Sequence, residues 1–382
     1  MRSMKIVYIY PQFARTAGTE RILIDKMNWF ANKDSYDILM ITMEQGLHPF
    51  AFPISSKIHH IDLDVRYCDL YKTNRFFRLL KIGYFNYKFQ KRFNTIIHDF
   101  KPDIVITTTY NTNILSVINR CPVTFKKVLE SHISKNFLHN NNPEIHKNLL
   151  KWFHAFLWMK KVEKYAKKFD ILVALNQIDA DLWSPFVKTK VITNMVHLNP
   201  TDRHASLDEK HAIFVGRLSH QKGIIDLLRV WKLVHTKHPD WHLDMFGTGD
   251  LYDFILSEIK HHQTNIHVHG STTRIFEKYL NSSMLLLTSV YEPFGLVIVE
   301  AMSCGLPVVA YDCPYGPAQI ISDGLDGFLI NNRSIEAMAD KICTLINSPQ
   351  LRYAMGQRAL ISSRRFSPST TMPKWELLFQ NL

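Results

Sequence analysis

Residues 289–312 read SVYEPFGLVIVEAMSCGLPVVAYD. The residues just before them, MLLLTS (284–289), are a short apolar run of the kind that forms a strand buried on both faces of a parallel sheet. A loop from Val290 to Pro293 carries Glu292. Phe294-Gly295 then opens an apolar stretch that contains Glu300 and closes at Cys304-Gly305, which predicts a helix of about three turns with glycine just past its end. LPVVAYD follows as the next strand, with Pro307 at its start, where a missing N–H costs no ladder bond.

Strand, loop, helix and strand in this order define an open α/β sheet, and such sheets bind ligands beyond the carboxyl ends of their strands. The start of the helix offers free N–H groups and a positive dipole end, which suits a phosphate. Glu292 before the helix and Glu300 inside it can accept hydrogen bonds from hydroxyls on either side. A phosphate flanked by sugar hydroxyls describes a nucleotide sugar.

Upstream, GRLSHQKG (216–223) places Arg217 and Lys222 around a strand-to-helix turn. Two fixed cations there can neutralise a diphosphate and stabilise it as a leaving group, Arg217 by a bidentate clasp and Lys222 as a point charge. GTG (247–249) before another helix is a weaker phosphate-loop signal.

The E-x7-E pattern on EPFGLVIVE, the run EAMSCGLPVVA and the G-R-x4-K-G spacing resemble the retaining glycosyltransferases of family 4, which have the GT-B fold. The resemblance is strongest over 211–330, moderate over 1–45 and 127–185, and a matter of layout over 46–126. It implies two Rossmann-like domains with parallel sheets facing across a central cleft, a nucleotide-sugar donor that is most often a UDP-hexose or UDP-N-acetylhexosamine, and no metal or other cofactor. It assigns the diphosphate to Arg217 and Lys222, helped by the amides of Phe294, Gly295 and Leu296. Glu300 is assigned to the ribose and Glu292 to the transferred sugar. His132, directly after the strand KVLES, is expected to reach that sugar from the N-terminal domain. The segment AGTER (17–21) resembles the family's Gly-Gly-x-Glu-Arg loop, with Gly18 retained as a donor-site residue and Ala17 in place of the first glycine. CPYGPAQIISDGLDGFLI (313–330) resembles its G-P-x-E-I-I segment, with Gln319 in place of Glu, and GSTTRIF (270–276) stands where the family contacts the nucleobase.

The whole chain fits this reading. Its 382 residues suggest two domains, set at 1–196 for an acceptor-binding domain and 207–365 for a donor-binding domain, with 366–382 as a C-terminal helix crossing back toward the first. HLNPTDRHASLDEK (197–210), polar and without period, reads as the linker. In the first domain, strands are predicted at 5–10, 36–42, 101–109, 127–132, 170–176 and 191–196. The first helix is predicted over ERILIDKMNWFANK, with Thr19 as its N-cap. In the second, strands are predicted at 212–219, 242–250, 265–271, 284–289, 306–312 and 327–330. Hydrophobic content of 46% and charged content of 21% are those of a globular protein. No apolar run is long enough to span a bilayer. KIVYIY is too short for the core of a signal peptide and reads as the first strand. Five cysteines without metal-ligand spacing indicate a reducing compartment, and the 19 histidines contain no His-Glu-x-x-His, so no metal site is expected.

Charge divides unevenly. Residues 1–199 carry 29 Lys and Arg against 16 Asp and Glu, whereas the remainder is nearly balanced. Two basic-aromatic stretches, KTNRFFRLLKIGYFNYKFQKRF (72–93) and KNLLKWFHAFLWMKKVEKYAKK (147–168), fit helices lying in an anionic membrane interface, with Arg75, Arg78, Lys81, Lys88 and Arg92 on phosphates. They equally fit helices packed on the N-terminal sheet with a solvated basic stripe. No nucleic-acid motif is found. The expectation is a cytoplasmic enzyme, peripheral on the inner face of the membrane, that moves a hexose or N-acetylhexosamine to a saccharide or lipid-linked acceptor in surface polysaccharide or glycolipid synthesis. The alternatives are a GT-B-fold nucleotide-sugar epimerase, a non-catalytic nucleotide-sugar-binding subunit of a polysaccharide assembly complex, and a basic nucleic-acid-binding protein.

Overall fold

The structure, a computed structural model, describes residues 2–67, 75–135 and 149–382. Lys72 and Lys147 of the two basic stretches lie outside the described residues, and so do the side chains of Arg75 and Arg78. The chain divides into two compact units, one of residues 1–193 with 372–382, the other of residues 194–371.

Among the described residues the first unit builds a seven-stranded sheet, all parallel, in the order β3-β2-β1-β4-β5-β6-β7. Its elements are β1 (Met4–Tyr10), α1 (Gly18–Ala31), β2 (Tyr36–Thr42), β3 (His59–Asp62), α2 (Arg75–Phe100), β4 (Ile104–Thr108), α3 (Thr112–Asn119), β5 (Lys126–Ser131), α4 (Leu149–Ala166), β6 (Ile171–Ala174), α5 (Gln177–Trp183) and β7 (Thr189–Val191). The central strands are apolar on both faces because helices cover both sides, so Ile6, Val7, Val105, Ile106, Val128 and Leu129 are fully buried. β3 is an exposed edge strand with no apolar run to announce it. The predicted last strand over 191–196 is corrected to Thr189–Val191: the backbone beyond it turns elsewhere, and the Val196 N–H donates to the Phe366 carbonyl at 2.9 Å.

The second unit repeats the plan with a six-stranded sheet in the order β10-β9-β8-β11-β12-β13, again parallel throughout. It runs β8 (His211–Val215), α6 (Ile224–Lys237), β9 (His242–Phe246), α7 (Tyr252–His262), β10 (Ile266–Gly270), α8 (Ile275–Leu280), β11 (Met284–Leu287), α9 (Leu296–Ser303), β12 (Val308–Tyr311), α10 (Pro317–Ile320), β13 (Gly327–Ile330), α11 (Ile335–Asn347) and α12 (Pro349–Ser363). Leu227, Trp231 and Val234 of α6, with Met338 and Ile342 of α11, cover one face of this sheet. In both units the chain reverses direction beside the first strand, the arrangement that opens a crevice at the carboxyl ends of the central strands.

The stretch 197–210 is packed rather than free. Ala205 and Leu207 are buried, the Asn199 N–H donates to Ser303 Oγ at 2.9 Å, and Arg352 Nε donates to the Leu207 carbonyl at 2.9 Å. A final helix, α13 (Pro368–Gln380), places its residues from Met372 onward in the first unit. There the Phe379 ring lies 5.1 Å from that of Phe30, and Glu376 pairs with Lys33.

Candidate functional site

Loops after β8 and β11 assemble the densest group of expected site residues. The turn His220–Lys222 is a single 3-10 turn that ends at Gly223, whose φ of +65° lies in the left-handed region. A Cβ on Gly223 would stand 1.9 Å from the Thr288 carbonyl oxygen, so glycine is required both by backbone conformation and by the approach of the chain beyond β11. Thr288 Oγ1 donates to the Lys222 carbonyl at 3.0 Å, and the Val290 N–H donates to the Gln221 carbonyl at 2.8 Å. This docking brings Lys222 Nζ onto Glu292 Oε2 as an ion pair. Ser289 Oγ adds a hydrogen bond to the same oxygen at 3.3 Å. Burial, then the nearby Glu292 charge, push the Cys313 thiol up to about 12. Arg217 stands exposed just before this turn, and its guanidinium has no hydrogen-bond or ion-pair partner among the described residues. Its charge is available to a ligand without first breaking a contact.

The helix after Glu292 is shorter than the apolar pattern predicts. It begins at Leu296 and has eight residues, because Gly295 at its N-cap takes φ +101° and holds Phe294 outside it. Phe294 is buried with its ring 5.4 Å from that of Phe366. Glu300 is only 3% exposed and accepts a hydrogen bond from the Tyr279 hydroxyl at 3.2 Å. The segment leading into α10 lies against the Glu292 loop through a bridge between Tyr315 and Glu292, whereas Gln319, inside α10, is exposed.

In the first unit, His132 follows β5 and is buried. Its Nε2 lies 2.7 Å from Glu130 Oε2, and that oxygen also pairs with Lys26 Nζ from α1. Lys26 and Glu130 are 3% and 2% exposed as side chains, and the Lys26 ammonium sits 4.2 Å above the centre of the Trp375 ring. Burial drives the Lys26 ammonium below its usual value against the pull of Glu130. Burial alone would raise the Glu130 carboxyl, but Lys26 and the His132 hydrogen bond outweigh it and hold the group below its usual range. The loop beyond His132 is pinned by Asp179, which accepts from Ser131 Oγ at 2.6 Å and from the Lys135 N–H at 2.8 Å.

The expected N-cap of α1 is corrected. The helix starts at Gly18, its N-cap is Ala17 with no side-chain bond, and Thr19 Oγ1 instead lies 3.3 Å from the Tyr110 hydroxyl. Ala17 has φ −107° and ψ 162°, extended backbone that alanine adopts freely, so replacing the family's glycine imposes no strain there. Sequence reasoning missed Lys26 and Glu130. The signals were present: Lys26 falls in helical register with Ile22, Leu23 and Phe30, and Glu130 interrupts the buried part of β5, Val128–Ser131. It also missed Arg333, which donates to the Thr288 and Ser289 carbonyls at 3.2 and 2.9 Å, pairs with Asp226, and so fastens the strand end from which the Glu292 loop springs.

Comparison with known proteins agrees with this architecture. Residues 200–360 match the family model described as "Glycosyl transferases group 1". The matched residues lie within the second unit, 194–371. Over the full length, the chain is 27% identical across 377 residues to an uncharacterized glycosyltransferase of Haemophilus influenzae, covering 97% of this chain and 99% of that one. It is 32% identical over 232 residues to the poly(ribitol-phosphate) alpha-N-acetylglucosaminyltransferase of Staphylococcus aureus strain COL, covering 58% of this chain and 47% of that protein, about half its length. Among solved structures, a TarM mutant of S. aureus in complex with fondaparinux, alpha-GlcNAc-glycerol and UDP superposes with a TM-score of 0.79 at 17% identity, over 98% of this chain and 99% of that one. The fold is GT-B, two Rossmann-like α/β domains.

Proposed function

We propose that this chain is a retaining glycosyltransferase that moves a hexose or N-acetylhexosamine from a UDP-linked donor to a saccharide, polyol-phosphate or lipid-linked acceptor in surface-polymer synthesis. The observation that carries the reading is the joining of the G-R-x4-K-G turn to the E-x7-E loop at the end of β11, with Lys222 on Glu292 and Arg217 exposed beside them. The UDP bound in the TarM structure supports a UDP-linked donor. The S. aureus relative is an alpha-N-acetylglucosaminyltransferase, which supports retention because UDP-N-acetylglucosamine is itself alpha-linked.

In this reading Arg217 and Lys222 hold the diphosphate, and the free amides at the start of α9 add donors aimed at the developing negative charge. The bond between the anomeric carbon and the phosphate oxygen breaks on the face where the acceptor hydroxyl attacks. The new glycosidic bond forms there, and the leaving phosphate oxygen takes the acceptor's proton. Glu292 binds hydroxyls of the transferred sugar. Glu300, 3% exposed and bonded by the Tyr279 hydroxyl, presents little surface to a ribose, so its role toward the nucleoside combines a direct contact with support of α8. His132, oriented by Glu130, contributes to transfer from the first unit. Stabilisation of the departing diphosphate by fixed cations and amides lets transfer proceed without a divalent metal.

The test is a donor screen by nucleotide release, using UDP-glucose, UDP-galactose, UDP-N-acetylglucosamine and GDP-mannose with polyol-phosphate and lipid-linked saccharide acceptors, with and without EDTA. An alpha-linked product from a UDP donor in EDTA is expected. The Arg217→Ala variant is expected to lose roughly 10²–10³ in kcat/KM, the scale for one transition-state donor. Conversion of the donor to its C2 epimer with no acceptor product, or near-wild-type turnover by the Arg217 variant, overturns the reading.

A further inference from the structure

Strand alternation gathers four histidines and one aspartate on one face of the second sheet. In β8 and β9, His211 pairs with His242 and Ile213 with Asp244; in β10, His267 pairs with Asp244. Residues two apart in a strand share a face, so His242 joins Asp244 and His267 joins His269 on it. His269 Nε2 lies 2.6 Å and His267 Nδ1 3.5 Å from the same oxygen, Asp244 Oδ1. One donor atom from each of these three residues falls within 4.8 Å of the others. His211 Nδ1 lies 2.6 Å from the other carboxylate oxygen, Oδ2. The His242 ring stacks between those of His211 and His267, with centroids 5.1 and 5.3 Å away, and its buried Nδ1 has no partner among the described residues.

We infer that Asp244, His267 and His269 form a site for a divalent transition-metal ion of the Zn²⁺ class. Two imidazoles and a carboxylate suit zinc and its neighbours and disfavour magnesium and calcium, which take oxygen ligands. Tetrahedral coordination at about 2.0–2.1 Å puts donor atoms roughly 3.3 Å apart. The two separations from Asp244 Oδ1, 2.6 and 3.5 Å, lie on either side of that value, and the His267 and His269 rings are half-exposed. His211 is the positioning residue: its bond to Oδ2 fixes the carboxylate and leaves Oδ1 for the ion. Three ligands leave a position open to water, to a ligand group or to the His242 nitrogen.

The place of the cluster suggests its consequence. β10 is the edge strand of its sheet, and its register against β9 shifts between Val268 and Gly270. An ion held by Asp244 on β9 and by two residues of β10 ties that edge to the sheet and braces the segment 270–276 that follows. The spacing rules applied to the sequence, for cysteine pairs and for helical His-Glu-x-x-His, do not detect ligands spread over two parallel strands.

Isothermal titration of the full chain with ZnCl₂ tests the site, together with thermal melts and absorption spectra of the Co²⁺-loaded protein. Wild type is expected to bind one Zn²⁺ per chain at micromolar concentration or tighter, to melt at a higher temperature with Zn²⁺ but not with Mg²⁺, and to give the intense visible bands of low-coordinate Co²⁺. The His267→Gln/His269→Gln variant changes rings that are 51% and 41% exposed, and is expected to keep the metal-free melting temperature while binding Zn²⁺ at least tenfold more weakly. His261→Gln/His262→Gln, which alters a histidine pair elsewhere on the unit, is expected to bind as wild type. Equal Zn²⁺ affinity in wild type and the His267/His269 variant, or no binding by wild type at about 100 µM, overturns the inference. If the double variant loses metal-free stability, His267→Gln alone decides by the same titration.

Discussion

Lys222 and Glu292, 70 residues apart in the chain, form an ion pair beyond the carboxyl end of β11. The sequence pattern gives the two residues separate tasks, one on the diphosphate and one on the sugar. In the folded chain each neutralises the other, so neither task is independent. We expect Lys222→Ala and Glu292→Gln each to lower kcat/KM by roughly 10²–10³. The double variant should fall far short of the product of the two losses, because each single change already leaves the partner unpaired. Steady-state kinetics on the four proteins of the cycle measures the coupling; strictly multiplicative losses would refute it.

Glu130 carries an equally specific expectation. Its ordinary carboxyl value is 4.5, and in the folded chain it lies lower, with burial opposed and outweighed by Lys26 and His132. A carboxyl with a depressed folded value contributes stability that is present in full above the unfolded value and is lost as pH falls through the folded one. Glu130→Gln leaves the Lys26 ammonium buried without its counter-charge, and breaking one side of a buried pair costs about 3–5 kcal/mol. Urea unfolding at pH 7 should show that loss, and the gap between variant and wild type should narrow as pH drops below 4.5. A gap that does not change with pH would mean that Glu130 acts through packing alone.

The legible and illegible parts of this fold differ for a physical reason. Buried parallel strands such as MLLLTS and KIVYIY announce themselves because both faces are apolar, and the loops between them carry their glycines for steric reasons that a sequence displays, as at Gly223. β3 was hidden because an exposed edge strand needs no apolar residues. The end of β7 was hidden because Ile192, Met195 and Val196 beyond it are apolar and buried although the strand has ended there. Lys26–Glu130–His132 and the Asp244 cluster bring together residues from different elements, so their meaning rests on register between strands and helices that no local window contains. Glu300 is the opposite case, conspicuous in the pattern yet buried against Tyr279 in the fold.

The two basic-aromatic stretches also part company. Along α2, Phe89, Phe93 and Ile97 are fully buried, Lys88 Nζ donates to the Asp64 carbonyl at 2.6 Å, and Arg92 bonds the Leu63 carbonyl. Lys88 and Arg92 therefore hold the protein's own backbone and are poor candidates for lipid phosphates. Along α4, Leu150, Phe153 and Leu157 are exposed at helical spacing, and Lys161, Lys164 and Lys168 are exposed further along the same segment. No described helix is long and apolar enough to cross a membrane. Attachment, if it occurs through α4, combines these apolar side chains with basic ones near an anionic surface, each contributing about 1 kcal/mol. Changing Lys161, Lys164 and Lys168 together to Gln should remove about 3 kcal/mol, or roughly a hundredfold in partitioning. Co-sedimentation with phosphatidylserine-containing vesicles should show wild type bound at low salt and released as the Debye length shrinks, with Phe153→Ser weakening binding even at constant charge. Equal recovery of wild type in the supernatant with neutral and anionic vesicles would refute membrane attachment and leave the exposed stripe to another partner.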